Sequence, residues 1–130
     1  MELIEFKIKY RNDYIFNERG FCQNPEKIDI TDGLSILMAK SGNGWHFGVF
    51  FGINKGKPCS VTDSFDDKQI AFEYALNDAM NRLRGDLVFA KIWEDKIKYR
   101  KTQNLIDRIS KIKDNALLVY ELKEFNNLNN

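Results

Sequence analysis

Trp45, Phe47, Val49, Phe51 and Ile53 alternate without a break, and His46, Gly48, Phe50 and Gly52 fall between them. An apolar residue at every second position predicts a strand with one strongly apolar face. The other face is thin, because two of its four positions carry no side chain. Glycine inside a strand marks a bulge, a sharp twist or the close approach of another backbone. Phe50 therefore stands between bare glycines, and either a helix crosses this face or a partner meets it. Ser41-Gly42-Asn43-Gly44 and Asn54-Lys55-Gly56-Lys57 supply turn chemistry at the two ends. Their hairpin partners are read as residues 34–40 and 58–62, giving a three-stranded antiparallel meander.

Asp63-Ser64-Phe65-Asp66-Asp67 follows, rich in N-cap candidates and in acids that favour a helix N-terminus. Phe72, Ala75, Leu76, Ala79 and Leu83 then recur at helical spacing, flanked by Tyr74 and Met80. The expected helix covers residues 66–84, stops at Gly85 and packs its small alanines closely on the meander.

The flanking segments complete an α+β domain over residues 1–125. Ile4, Phe6, Ile8 and Tyr10 alternate with charged residues as a half-buried strand, which Tyr14-Ile15-Phe16 extends or answers with a return strand. Residues 17–32 carry Gly20, Pro25 and Asp32-Gly33 and read as a loop with at most a short strand. A second helix is expected over residues 86–99, and a short third one over 103–113 with Thr102 as its cap. Leu117 to Leu122 form a final strand, and residues 126–130 a polar tail. A domain of this length buries somewhat over ~60% of its unfolded surface and needs no metal or disulfide to fold.

Several function classes find no support. Cys22 and Cys59 match no zinc spacing and are read as free thiols in a reducing cytoplasm. No run approaches the ~20 apolar residues of a membrane span, and no basic leader precedes an apolar block. His46 is the one histidine, so an imidazole mechanism has to use it. Trp45 and Phe47 flank it and no orienting partner is adjacent, so a surface histidine on a sheet face is expected. The acids Asp63, Asp66 and Asp67 fit capping better than a calcium loop, and the glycines form no phosphate loop. No cofactor is expected.

Charge is distributed unevenly. Residues 87–113 hold eight basic against three acidic residues, a net of +5, while 61–86 hold three against six, a net of −3. Clustered Lys and Arg attract phosphate, and Tyr99 between Lys98 and Arg100 offers a ring for an unpaired base. Ten Phe, five Tyr and two Trp exceed the needs of one small core if Trp45, Phe50 or Trp93 lies outside it.

The run Gly44-Trp45, Gly48, Gly52, Gly56, Phe65, Ala71-Phe72, Ala75-Leu76 and Leu83 resembles the hairpin-plus-helix layout of small proteins carried by phages and other mobile elements. Anti-CRISPR proteins are one such group: short, cytoplasmic and usually non-enzymatic. The resemblance implies a protein that occupies a surface on a host nuclease or its guide RNA. The expected partner-binding residues are Lys91, Lys96, Lys98, Tyr99, Arg100 and Lys101 on the basic helices, with Trp45, Phe50, Lys55 and Lys57 on the hairpin. The alternatives are a stand-alone RNA- or DNA-binding protein and a small enzyme using His46. A homodimer is compatible with each.

Overall fold

The longest element starts where its cap chemistry predicts. Helix α1 spans Lys68–Ile92, and the Asp67 carboxylate accepts hydrogen bonds from the backbone N–H groups of Gln69 and Ile70. A computed structural model supplies these coordinates and describes residues 3–9, 11–52 and 56–120. Tyr10, Ile53, Lys55, Leu122 and the tail 126–130, each given a place from sequence, lie outside the described residues.

The α1 stripe Phe72, Ala75, Leu76, Ala79, Met80 and Leu83 is buried as its spacing requires. It lies across the sheet formed by strands β2 (Glu26–Thr31), β3 (Leu34–Ser41), β4 (Gly44–Phe50) and β5 (Gly56–Lys57), in that spatial order and antiparallel. Ile36 pairs with Val49 and Met38 with Phe47, and these four side chains enter the core against α1. Two readings need correction here. Residues 17–32 were expected to hold at most a short strand, yet Glu26–Thr31 forms a six-residue strand with Ile28 buried. The third meander strand is the two-residue β5, and 58–62 leaves the sheet, because Pro58 has no N–H to extend the ladder.

The helical half is also redrawn. Gly85 does not stop α1; the helix continues for two further turns, because Leu83, Leu87 and Ala90 keep one side of it inward. It ends at the Trp93 C-cap, where Glu94 adopts φ +55°. Asp95 then caps α2 (Lys96–Ile112) by accepting from Lys98 N at 3.0 Å. The expected helices 86–99 and 103–113 are therefore the end of α1 and one continuous α2. Thr102, expected as a cap, is buried in the middle of α2 with Ile106 and Ile109. Asp114 and Asn115 lie in the turn that ends it, as read from sequence.

Strand β1 (Ile4–Ile8) pairs in parallel with the final strand β6 (Ala116–Tyr120), apart from the main sheet. The first turn of α1 fastens this pair. Gln69 Nε2 donates to Ala116 O at 3.0 Å, its Oε1 accepts from Leu118 N at 2.8 Å, and Lys68 Nζ donates to Leu118 O at 3.0 Å. One side-chain amide thus satisfies two backbone groups of β6, as a neighbouring strand would. Tyr14-Ile15-Phe16 contributes an isolated bridge between Phe16 and Cys22 instead of extending β1. The architecture is α+β.

Candidate functional site

The basic surface becomes specific once α2 is one helix. Thr102, Ile106 and Ile109 face inward, which turns Ile97, Arg100, Lys101, Asn104, Arg108 and Lys111 outward at steps of three and four. All six are exposed. Four cations therefore share one face over roughly 16 Å of helix. On α2 itself Asp107 accepts a hydrogen bond from Gln103 Nε2 at 2.9 Å, and Asp32 shares a cleft with Lys101 and Arg108. Arg108 Nη1 donates to Thr31 Oγ1 at 2.8 Å, which ties the stripe to the end of β2.

Arg100 and Lys101 were expected at a binding surface and stand on this face. Arg108 and Lys111 join them: a break between residues 99 and 103 would leave them out of phase, and one continuous helix brings them into line with Arg100. The signal was present in their spacing from Arg100. Lys98 is half-buried and off the stripe. Lys91, Lys96, Tyr99 and Arg100 line a shallow cleft of about 600 Å³ at the elbow between α1 and α2, together with Glu94 and Asp95. Those two carboxylates share the cleft with the three cations and with Tyr99, which is 38% exposed.

The hairpin anchors fare differently. Trp45 is 6% exposed and its backbone pairs with Phe65 in both directions, at 2.7 and 2.9 Å, so it is core and not an anchor. Lys57 is largely buried: its ammonium pairs with Asp63 at 2.9 Å, donates to Phe47 O at 3.0 Å and sits 4.4 Å from the Phe47 ring centroid. Phe50 remains partly exposed, with Lys27 Nζ 4.9 Å from its centroid. Phe50, Lys27 and Arg108 line one open cleft of about 530 Å³, whose rim also carries Asp29 and Asp32. The structure thus joins Phe50 to the α2 face through Arg108.

The glycine-bearing face of β4 is crossed by backbone at one end and open at the other. A Cβ on Gly48 would stand 2.6 Å from both Cys59 N and Lys57 O, so residues 57–59 lie directly on that strand. Beside it His46 is fully buried, which corrects the expected surface histidine. Asp63 O accepts from Nδ1 at 2.9 Å, because a carbonyl can only accept. Nε2 then accepts from the Ser41 hydroxyl at 2.7 Å, and the Phe16 ring meets the imidazole edge-on at 5.7 Å. Both ring nitrogens are committed to holding the 57–64 segment and the β3–β4 turn.

The acids named from sequence have local duties as well. Asp67 caps α1, and Asp63 pairs with Lys57. The thiols are free, and Cys22 N donates to Cys59 O at 2.9 Å. Burial pushes the Cys59 thiol up to about 12 and raises Cys22 as well, so neither is an activated nucleophile. Among the described residues no three His, Cys, Asp or Glu side chains are placed to hold a metal ion, and no helix is long and apolar enough to cross a membrane. The chain matches no protein-family model, no curated protein and no solved structure.

Proposed function

We propose that this is a non-enzymatic interaction protein that antagonises a CRISPR-type nuclease by binding its guide-RNA complex through the outer face of α2. The observation that supports this reading is the stripe Arg100, Lys101, Arg108 and Lys111, four exposed cations on one rigid helix. The mechanism is electrostatic and steric. The cations meet RNA phosphates at the groove that holds them, Phe50 at the adjoining cleft offers an aromatic contact, and the bulk of the domain blocks the target strand.

The test is cleavage of target DNA by purified guide-loaded nucleases with increasing amounts of this protein. Inhibition is expected, and the combined variant Arg100→Gln, Lys101→Gln, Arg108→Gln, Lys111→Gln is expected to abolish it while keeping the wild-type circular dichroism spectrum. Binding that depends on four phosphate contacts should weaken with salt at a log–log slope of about −3. A quadruple variant that inhibits as well as wild type would remove the reading. Equal affinity for naked RNA, with no effect on any nuclease, would instead favour a stand-alone RNA-binding protein.

A further inference from the structure

Helix α1 is apolar on two opposite sides. Its inner side carries Leu83 and Ala90 into the fold, and the opposite side of the last two turns carries Gly85, Val88, Phe89 and Ile92. Val88, Phe89, Ile92, Trp93 and, at the start of α2, Ile97 are each between 58 and 77% exposed. With large side chains of ~150–250 Å² each, these five leave about 600 Å² of surface in water, at the upper end of what monomeric proteins tolerate as one apolar patch. A second apolar side gives a helix a second face that gains from burial.

Gly85 adds an independent observation. Glycine is the costliest helix-interior residue after proline, and here the helix runs seven residues beyond it. A Cβ at this position would meet nothing within 4 Å, so the packing of one chain gives no reason for its absence. A bare backbone at the edge of an exposed apolar patch suits the close approach of another side chain.

Charge selects the occupant. Residues 78–96, which flank the α1 part of the patch, carry four acids (Asp78, Asp86, Glu94, Asp95) and four bases (Arg82, Arg84, Lys91, Lys96) and are neutral. A polyanion or an anionic lipid surface gains no net attraction there, whereas a second copy meets no net repulsion. We infer that the outer C-terminal face of α1 is closed by a second copy of this chain, as an antiparallel isologous helix pair. With the two-fold axis beside Val88 and Phe89, Ile92 of each copy lies opposite Gly85 of the other, since the two positions are equidistant from the axis. Each copy contributes about 600 Å² from the five exposed side chains alone, close to the ~800 Å² per partner of a standard stable interface. Of the outward stripe of α2 only Ile97 enters this contact and none of its four cations does, so the inference stands or falls separately from the proposed inhibition.

Sedimentation equilibrium of the full chain between about 1 and 200 μM tests this. The expected mass rises with concentration toward twice the 15.2 kDa of one chain. Ile92→Glu, at an exposed position, should keep the helical spectrum and weaken association at least about 30-fold. Gly85→Ala should raise the thermal midpoint in dilute solution, where the chain is monomeric, yet weaken association about tenfold by filling the gap that Ile92 enters. A wild-type mass of one chain at all concentrations would overturn the inference. So would unchanged association in Ile92→Glu, or tighter association in Gly85→Ala. Monomeric protein that pellets with vesicles of phosphatidylcholine and phosphatidylglycerol in a Trp93-dependent way would overturn it too, and assign the patch to lipid.

Discussion

Gly48→Ala probes whether residues 57–59 really cross β4. Its Cβ would stand 2.6 Å from Cys59 N, 2.6 Å from Lys57 O and 3.0 Å from the Pro58 carbonyl carbon. All three are backbone atoms, so no side chain can rotate away. Relief requires lifting the crossing segment, which strains the Cys22 N to Cys59 O hydrogen bond, the Phe21–Ser60 bridge and the Lys57–Asp63 ion pair. Two backbone atoms at 2.6 Å put the cost near the upper end of the overpacking range, about 3 kcal/mol. The reduced entropy of the unfolded chain returns at most about 1 kcal/mol of that. At roughly 4 °C per kcal/mol for a domain of this size, the thermal midpoint should fall by several degrees. Urea unfolding followed by far-ultraviolet circular dichroism measures the difference, with Gly85→Ala in dilute solution as the comparison, since its Cβ meets nothing. If Gly48→Ala proves as stable as wild type, the segment does not lie on that face, and the account of the buried His46 beside it fails with it.

Other outcomes follow from the same packing. His46→Ala should cost about 2–4 kcal/mol in urea unfolding, because it opens a cavity and strands Asp63 O without its donor. The proposed inhibition, measured well below the unfolding midpoint, should survive this change; its loss with unchanged stability would favour a catalytic role for His46. Gln69→Ala should cost about 2 kcal/mol, since two backbone groups of β6 lose their partner, and hydrogen exchange at Leu118 should accelerate. Cys59 favours its neutral thiol in the folded state, so its contribution to stability is intact below its ordinary value of 9.0 and is lost as pH rises through about 12. Unfolding midpoints in that window should drop, and Cys59→Ala should flatten the fall. A thiol reagent at pH 8 should leave native Cys59 unmodified.

Much of this molecule was legible as pattern. Alternation identified β4, three-and-four spacing identified the inner stripe of α1, and Asp67 was among the residues recognised as cap candidates, because those features depend on neighbours within one or two turns. The charge excess after residue 87 was equally plain. Its phase was not, since Gly85 and Thr102 carry local signals for a stop and a cap that packing overrides. Leu87, Ala90 and Ile106 bury enough surface to carry both helices through those positions.

Long-range partners decided the remainder. Nothing local to Glu26–Thr31 distinguishes a strand from a loop until β3 offers it a ladder. Nothing near His46 announces that Asp63, seventeen residues away, will accept its proton-bearing nitrogen. The sequence by itself determined the β4 strand, the inner stripe of α1 and that a cationic surface would exist. Only the tertiary structure decided which cations share a face, which aromatics are spent in the core, and that α1 keeps a second apolar side in water. Local periodicity is encoded by near neighbours, whereas burial is a property of what arrives from elsewhere in the chain.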